Sequence, residues 1–139
     1  MKMNSITNIA DVPLKKNSPL FWLTLLVPAL IIPLGINFLL NPIGATAGFG
    51  IPITDPSAFP YMWTKGVRDI FSGVVVLLLF FLGDRRTIAT VYSAAILIPI
   101  GDGLIILRQG GFAWPIYIHW GTAFYMMIVA AFLFKTQKD

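Results

Sequence analysis

The chain has 139 residues, of which 57% are hydrophobic and only 12% are charged, with a formal net charge of +4. Soluble domains carry about 25% charged residues, so this composition excludes an ordinary soluble protein and indicates a membrane protein. The absence of cysteine excludes a disulfide scaffold, a thiolate metal site and a cysteine nucleophile, and the basic residues form no stripe of the kind that binds nucleic acid.

The chain begins with a polar segment, residues 1–18, followed by a first apolar run over residues 19–40. Lys15 and Lys16 ahead of this run could belong to a signal peptide, with residues 45–47 (Ala-Thr-Ala) as its cleavage site. The apolar run is much longer than the roughly 7–15 residues of a signal-peptide core. We therefore predict an uncleaved first helix.

Four apolar runs are long enough to cross a bilayer, because each would extend roughly 30 Å as a helix. They cover residues 19–40, 62–82, 87–107 and 114–134. None shows the charged face of a helix on the surface of a soluble protein. The sequence therefore predicts an all-α fold, an integral membrane bundle of four transmembrane helices over residues 19–134, with a short C-terminal tail at 135–139.

Three prolines lie inside the predicted helices, namely Pro28, Pro33 and Pro99. Proline lacks the amide hydrogen of the helix ladder, so each is expected to kink its helix. Gly66 and Gly73 in the second run are expected at contacts between helices, where small residues let backbones approach closely.

The connections between the runs differ greatly in length. Residues 83–86 form a tight turn in which Asp84 is a candidate N-cap, whereas residues 41–61 form a long segment rich in Gly and Pro that also contains Phe and Ile. We expect this long segment to be a cap loop over the outer mouth of the bundle. An interfacial loop resting on lipid headgroups is the alternative.

Basic residues are concentrated at one end of the bundle. Seven of the ten fall on the side that holds both termini and the turn at 83–86: Lys2, Lys15, Lys16, Arg85, Arg86, Lys135 and Lys138. The positive-inside rule then predicts that both termini are cytoplasmic, in a protein of the cell membrane. An aromatic belt at the opposite end agrees: Tyr61, Trp63, Trp114, Tyr117 and Trp120.

Ionisable residues within the runs are few, and three of the predicted helices bring them to a similar depth in the outer half. An unpaired charge at a helix centre costs about 2.5–3.5 kcal/mol on insertion scales, so these groups are expected to face inward and pair or to meet water. Lys65, Arg68 and Asp69 also lie on one face of the second helix, at spacings of three and four residues.

This polar layer is the only candidate site that the sequence offers. We predict that Asp69, Asp102 and His119 transfer protons and that Arg68, with Lys65, Asn37 and Arg108, binds the substrate. In the alternative, Lys65 and Arg68 snorkel to headgroups and the Arg–Asp pairs only fix helix packing. A single histidine cannot build a multi-ligand metal site or ligate haem twice, so neither a metal nor a cofactor is expected.

Three short motifs carry a resemblance to a known family. They are Lys-Gly-Val-Arg-Asp at 65–69, Gly-Asp-Arg-Arg at 83–86 and Pro-Ile-Gly-Asp-Gly at 99–103. In this order they resemble small bacterial and fungal membrane proteins catalogued as domain of unknown function 4267, in the neighbourhood of the DoxX-like four-helix proteins. The resemblance covers about residues 18–135. It implies a four-helix membrane bundle and no particular reaction, although DoxX-like relatives include quinone-linked oxidoreductase subunits.

Two classes of function fit these observations. The first is a membrane protein that binds or transforms an apolar small molecule in its outer half, as an isomerase or a quinone-linked protein would. The second is a structural or accessory subunit without chemistry of its own. A transporter is disfavoured, because the inner halves of the second and fourth helices are apolar and four helices do not easily line a pore unless a homo-oligomer supplies one.

Overall fold

The computed structural model describes residues 14–110 and 114–135, and these ranges contain helices and no strand. The predicted all-α class is therefore confirmed. The elements in chain order are α1 (Pro19–Leu40), α2 (Pro42–Phe49), a short 3₁₀ helix (Pro56–Ala58), α3 (Phe59–Leu82), α4 (Arg85–Ala95), α5 (Leu97–Gly110) and α6 (Trp114–Phe134). Much of the predicted N-terminal segment and most of the C-terminal tail lie outside the described residues.

Among the described residues, three helical stretches are long and apolar enough to cross a membrane: Pro19–Leu40, Arg85–Gly110 and Trp114–Phe134. The first and last coincide with the predicted spans. Helix α3 has 24 residues, but any 18-residue stretch of it contains Lys65, Arg68 and Asp69. These charges set α3 apart from the three apolar stretches.

The segment at 41–61, expected as a loop, contains a helix. The Asn41 side chain caps the start of α2 by accepting a hydrogen bond from the Gly44 amide at 3.1 Å, and Pro42 occupies the first helical position. Gly50 ends α2 in the left-handed region, at φ +104°, which a residue with a side chain rarely adopts. Local capping chemistry therefore explains why a helix forms here.

The third predicted span is a helix with a break. Helix α4 ends at Ala95 and α5 begins at Leu97, four and two residues before Pro99. Because Pro99 has no amide hydrogen, the helix cannot form the bond that would join it to the Ala95 carbonyl. The kink expected at Pro99 is thus a division between two helices.

The helices pack as two closely associated groups. Helix α1 lies along α3, and a Cβ added at Gly35 would stand 2.7 Å from the Gly66 carbonyl oxygen, so both glycines permit a backbone-to-backbone approach. Helices α4 and α5 pack along α6. The apolar core lies towards the turn between α3 and α4, around Phe80, Tyr92 and Val129. We call this the turn end of the bundle and the opposite end, where α2 lies, the cap end.

Candidate functional site

Four charged side chains from α3 and α5 form one ion-pair network. The Lys65 ammonium nitrogen lies 2.7 Å from an Asp69 carboxylate oxygen and 3.4 Å from an oxygen of Asp102. The Arg68 guanidinium lies 3.1 Å from Asp69 and 3.5 Å from Asp102. Lys65 lies four residues before Asp69 on the same face of α3, Arg68 immediately precedes Asp69, and the packing of the bundle brings Asp102 to the same place.

The network is buried on its acidic side and balanced in charge. The Asp69 and Asp102 side chains are 4% and 9% exposed, and Lys65 is 14% exposed, whereas Arg68 is 45% exposed. Two cations offset two anions, so the desolvated carboxylates have the partners that buried charges require. Arg68 supplies its charge from the periphery of the network.

Aromatic rings surround the Lys65 ammonium on the side facing α1 and α2. Its nitrogen lies 4.8 Å from the centre of the Phe38 ring and 4.7 Å from the centre of the Phe49 ring. The Phe49 ring also meets the His119 imidazole edge to face, with centroids 4.9 Å apart. Phe49, the last residue of α2, therefore connects the ion-pair network on α3 with the histidine on α6.

A cavity of about 370 Å³ lies between the two helix groups. Its volume is at the lower end of the range for sites that bind small molecules. The polar side chains in its lining lie mainly towards the cap end: Asn37, Lys65, Asp69, Asp102 and His119. Towards the turn end the lining is apolar, with Val76, Ala95 and Met126. The cavity thus has one polar end and one apolar end.

Six of the seven residues predicted from the sequence lie in or beside this site. Asp69, Asp102 and Lys65 belong to both the network and the cavity lining, and Asn37 and His119 belong to the lining. Arg68 belongs to the network but not to the lining, and Arg108 lies exposed in the last turn of α5, also outside the lining. Within the described ranges, no three His, Cys, Asp or Glu side chains group as a metal ion would require.

Sequence reasoning missed the two phenylalanines that contact Lys65. Phe38 follows Asn37 on α1, but an apolar residue in an apolar helix carries no distinguishing signal. Phe49 reaches the site only because α2 turns back over α1, α3 and α6, and that helix was expected as a loop. The helix-capping residues Asn41 and Gly50 are the signal that could have located it.

Comparison with known proteins identifies one family. The model of the family described as Domain of unknown function (DUF4267) matches residues 29–133, which include α2 to α5, most of α1 and α6, and every residue of the ion-pair network. No curated protein and no solved structure gives a significant match to the chain.

Proposed function

This chain belongs to the family described as Domain of unknown function (DUF4267), and on that premise we propose that it binds a neutral, mainly apolar small molecule within the membrane. The observation that carries the proposal is the two-ended cavity, which places a balanced polar network at one end and apolar side chains at the other. Such a lining suits a molecule with one hydrogen-bonding head and a hydrocarbon body.

The balance of the network determines the expected charge of the head. Lys65 and Arg68 already offset Asp69 and Asp102, so a charged head would add an unpaired charge to a largely desolvated site. A hydroxyl or carbonyl group brings no such cost and can use the remaining polar groups. Within the described residues, no hydrogen bond engages the Asn37 side chain, so it is available to a ligand head.

We assign the remaining predicted residues by their place around the cavity. The Asp69 and Asp102 carboxylates are both engaged in ion pairs, so we propose that they hold Lys65 in place and that His119, outside the ion pairs, is the group for proton transfer. Arg68 neutralises the carboxylates from the periphery. These roles fit an isomerase or a quinone-linked protein, the two reaction types named from the sequence.

The proposed membrane arrangement has four spans, with both termini in the cytoplasm of a cell-membrane protein. In this arrangement α3 is a span in addition to the three apolar stretches. Its ion pairs with α5 would offset the free-energy cost of placing its charged residues in the membrane. Single cysteines test this topology, since the chain has no native cysteine. Cysteines replacing Lys16, Arg86 and Lys135 should react with an impermeant maleimide only after the membrane is opened. A cysteine replacing Thr54 should react in intact cells.

Photolabelling tests the binding proposal. The protein in phosphatidylcholine nanodiscs is labelled with a decanol that carries a diazirine near its hydroxyl, and the labelled peptides are identified by mass spectrometry. We expect label on cavity-lining residues, and we expect decanol and methyl octyl ketone to compete. Decanoate and decylammonium, which have similar tails and charged heads, should compete at least about tenfold less well, because an unpaired buried charge costs several kcal/mol.

Two variants test whether the polar end of the cavity contributes to binding of the probe. Asn37→Leu removes a hydrogen-bonding group without breaking an ion pair, and it should reduce cavity labelling about fivefold, in line with the loss of one hydrogen bond. Asn17→Leu makes the same replacement at an exposed residue before α1 and should have no effect. Label spread evenly over lipid-facing residues, with no competition, would overturn the proposal.

A structural subunit is the second candidate, because each carboxylate is already paired with both cations. In that case the network fixes the packing of α3 against α5, and the cavity binds nothing selectively. The same photolabelling separates the two functions. Cavity labelling that decanol displaces supports binding, and its absence in a folded protein supports the structural role.

A further inference from the structure

We infer that the bound molecule enters and leaves the cavity sideways from the lipid, through a mouth between α1 and α6. This inference rests on the proposed function and specifies the source of the ligand as the hydrocarbon region of the membrane. It concerns the wall of the cavity rather than its polar end, so the two can be tested separately.

The first observation is that some cavity-lining side chains are also exposed on the outer surface of the bundle. Leu30 and Leu34 of α1 are each 56% exposed, and Ile118 of α6 is 51% exposed, yet all three line the cavity. Side chains that line a cavity and are also exposed are expected where the cavity opens to the surface. These residues therefore mark the mouth.

The second observation is the loose contact between the helices that flank this mouth. Helices α1 and α6 pack far less extensively on each other than α1 does on α3 or α6 does on α5. A hydrogen bond from the Tyr125 hydroxyl to the Leu23 carbonyl, at 2.7 Å, joins them nearer the turn end. The exposed cavity-lining residues Leu30, Leu34 and Ile118 lie on the cap-end side of that bond.

The third observation is the chemistry and depth of the mouth. Leu34 lies six residues before the end of α1 and Ile118 four residues after the start of α6, or about 9 Å and 6 Å along the helices. Both are within the length of apolar helices, and both are aliphatic. Gly44 and Gly48 of α2 also line the cavity and have no side chain that could obstruct it. An opening of this kind admits a molecule dissolved in lipid.

Tryptophan at the mouth tests the route. In the variant Leu34→Trp with Ile118→Trp, two large side chains narrow the opening from both helices without changing the polar end. The protein is loaded with the diazirine decanol and then mixed with an excess of probe-free phosphatidylcholine vesicles. A light flash at set times measures how much probe remains in the cavity, which gives its exit rate.

We expect exit to slow at least about tenfold, and entry by a similar factor, because a barrier at the opening slows both. Leu26→Trp with Ile128→Trp is the matched control, since both residues are exposed on the same two helices and neither lines the cavity. Its exit rate should equal that of the unchanged protein. The single variant Leu34→Trp should slow exit less than the double variant does but more than the control. It therefore tests the route if the double variant folds poorly.

Two results would overturn the inference. One is an unchanged exit rate in a folded mouth variant, which means that the molecule uses another route. The other is a loss of equilibrium labelling of more than about tenfold, which would place Leu34 and Ile118 against the bound molecule rather than at an opening. Either result leaves the proposed function standing if decanol still competes in the unchanged protein. If the proposed function itself is wrong, the unchanged protein shows no cavity label that decanol displaces.

Discussion

Asp69 and Asp102 are the two carboxylates of one network, and each accepts hydrogen bonds from both the Lys65 ammonium and the Arg68 guanidinium. Two like charges from different helices can be buried together only because two cations lie between them. The cations differ, however, since Lys65 is nearly buried and Arg68 is close to half exposed. This difference makes the network asymmetric in its response to mutation.

Lys65→Met should be more destabilising than Arg68→Met. Loss of Lys65 leaves two carboxylates with one peripheral partner, and removing one member of a buried pair costs about 3 kcal/mol. Arg68 contacts the carboxylates from the periphery, and Lys65, their closer partner, remains after its removal, so the loss should be smaller. Reversible unfolding in mixed micelles measures both free energies. An equal loss in the two variants would contradict the asymmetry.

Gly66→Ala should separate α1 from α3 and destabilise the bundle. A Cβ at this position would meet the Gly35 carbonyl oxygen at 2.7 Å, and backbone cannot move aside as a flexible side chain can. Such overpacking costs about 1–3 kcal/mol. Gly121→Ala is the control, because a Cβ there has nothing within 4 Å. Thermal unfolding in detergent should show a lower Tm for Gly66→Ala alone, and equal shifts in both variants would refute the close approach.

The bounds of the simplest helices were predictable from the sequence. Residues 19–40 and 114–134 are continuous apolar runs, and they coincide with α1 and α6. The Asp84 cap was also predictable, because an acidic residue after glycine and before a helix has a local function that needs no tertiary contact. In these elements local chemistry decides the structure and sequence reasoning succeeded, but it missed α2, which Asn41 and Gly50 also cap locally.

The site was only partly predictable, because helix packing decides which residues meet. The similar depth of Arg68, Asp69 and Asp102 predicted that they lie together, and the structure places them in one network. Lys65, which shares a face of the helix with Asp69, belongs to the same network. Depth does not reveal the rotation of a helix or the path of α2. For that reason Phe49 was missed, and Arg108 was grouped with residues whose cavity it does not line.

Two tyrosines should respond oppositely to removal of the hydroxyl. The Tyr125 hydroxyl donates to the Leu23 carbonyl at 2.7 Å and joins α6 to α1, so Tyr125→Phe should cost about 1 kcal/mol. The buried Tyr92 hydroxyl has no partner among the described residues, so Tyr92→Phe should leave stability unchanged or raise it by about 1 kcal/mol. The free energies of unfolding of the two variants, each compared with that of the unchanged protein, test these two predictions. A larger loss in Tyr92→Phe would show that its hydroxyl is satisfied.

Asp84→Asn should reduce stability near neutral pH and lose this effect in acid. The Thr87 amide and hydroxyl both donate to the Asp84 carboxylate, which holds its pKa below the usual 3.8. A lowered pKa means that the carboxylate stabilises the fold at pH values above 3.8 and that this contribution disappears as the pH falls through the lowered pKa. The difference in Tm between the two proteins should therefore shrink below that pH. A difference that grows in acid would contradict this sign.

The most direct test of the central claim is an experimental structure of the protein with a decanol that carries bromine at the end of its tail. Our account predicts an anomalous bromine peak between Val76 and Met126, at the apolar end of the cavity, with the hydroxyl within hydrogen-bonding distance of Asn37, Lys65 or His119. Bromine peaks confined to the lipid-facing surface of the helices, with the cavity unoccupied, would contradict it.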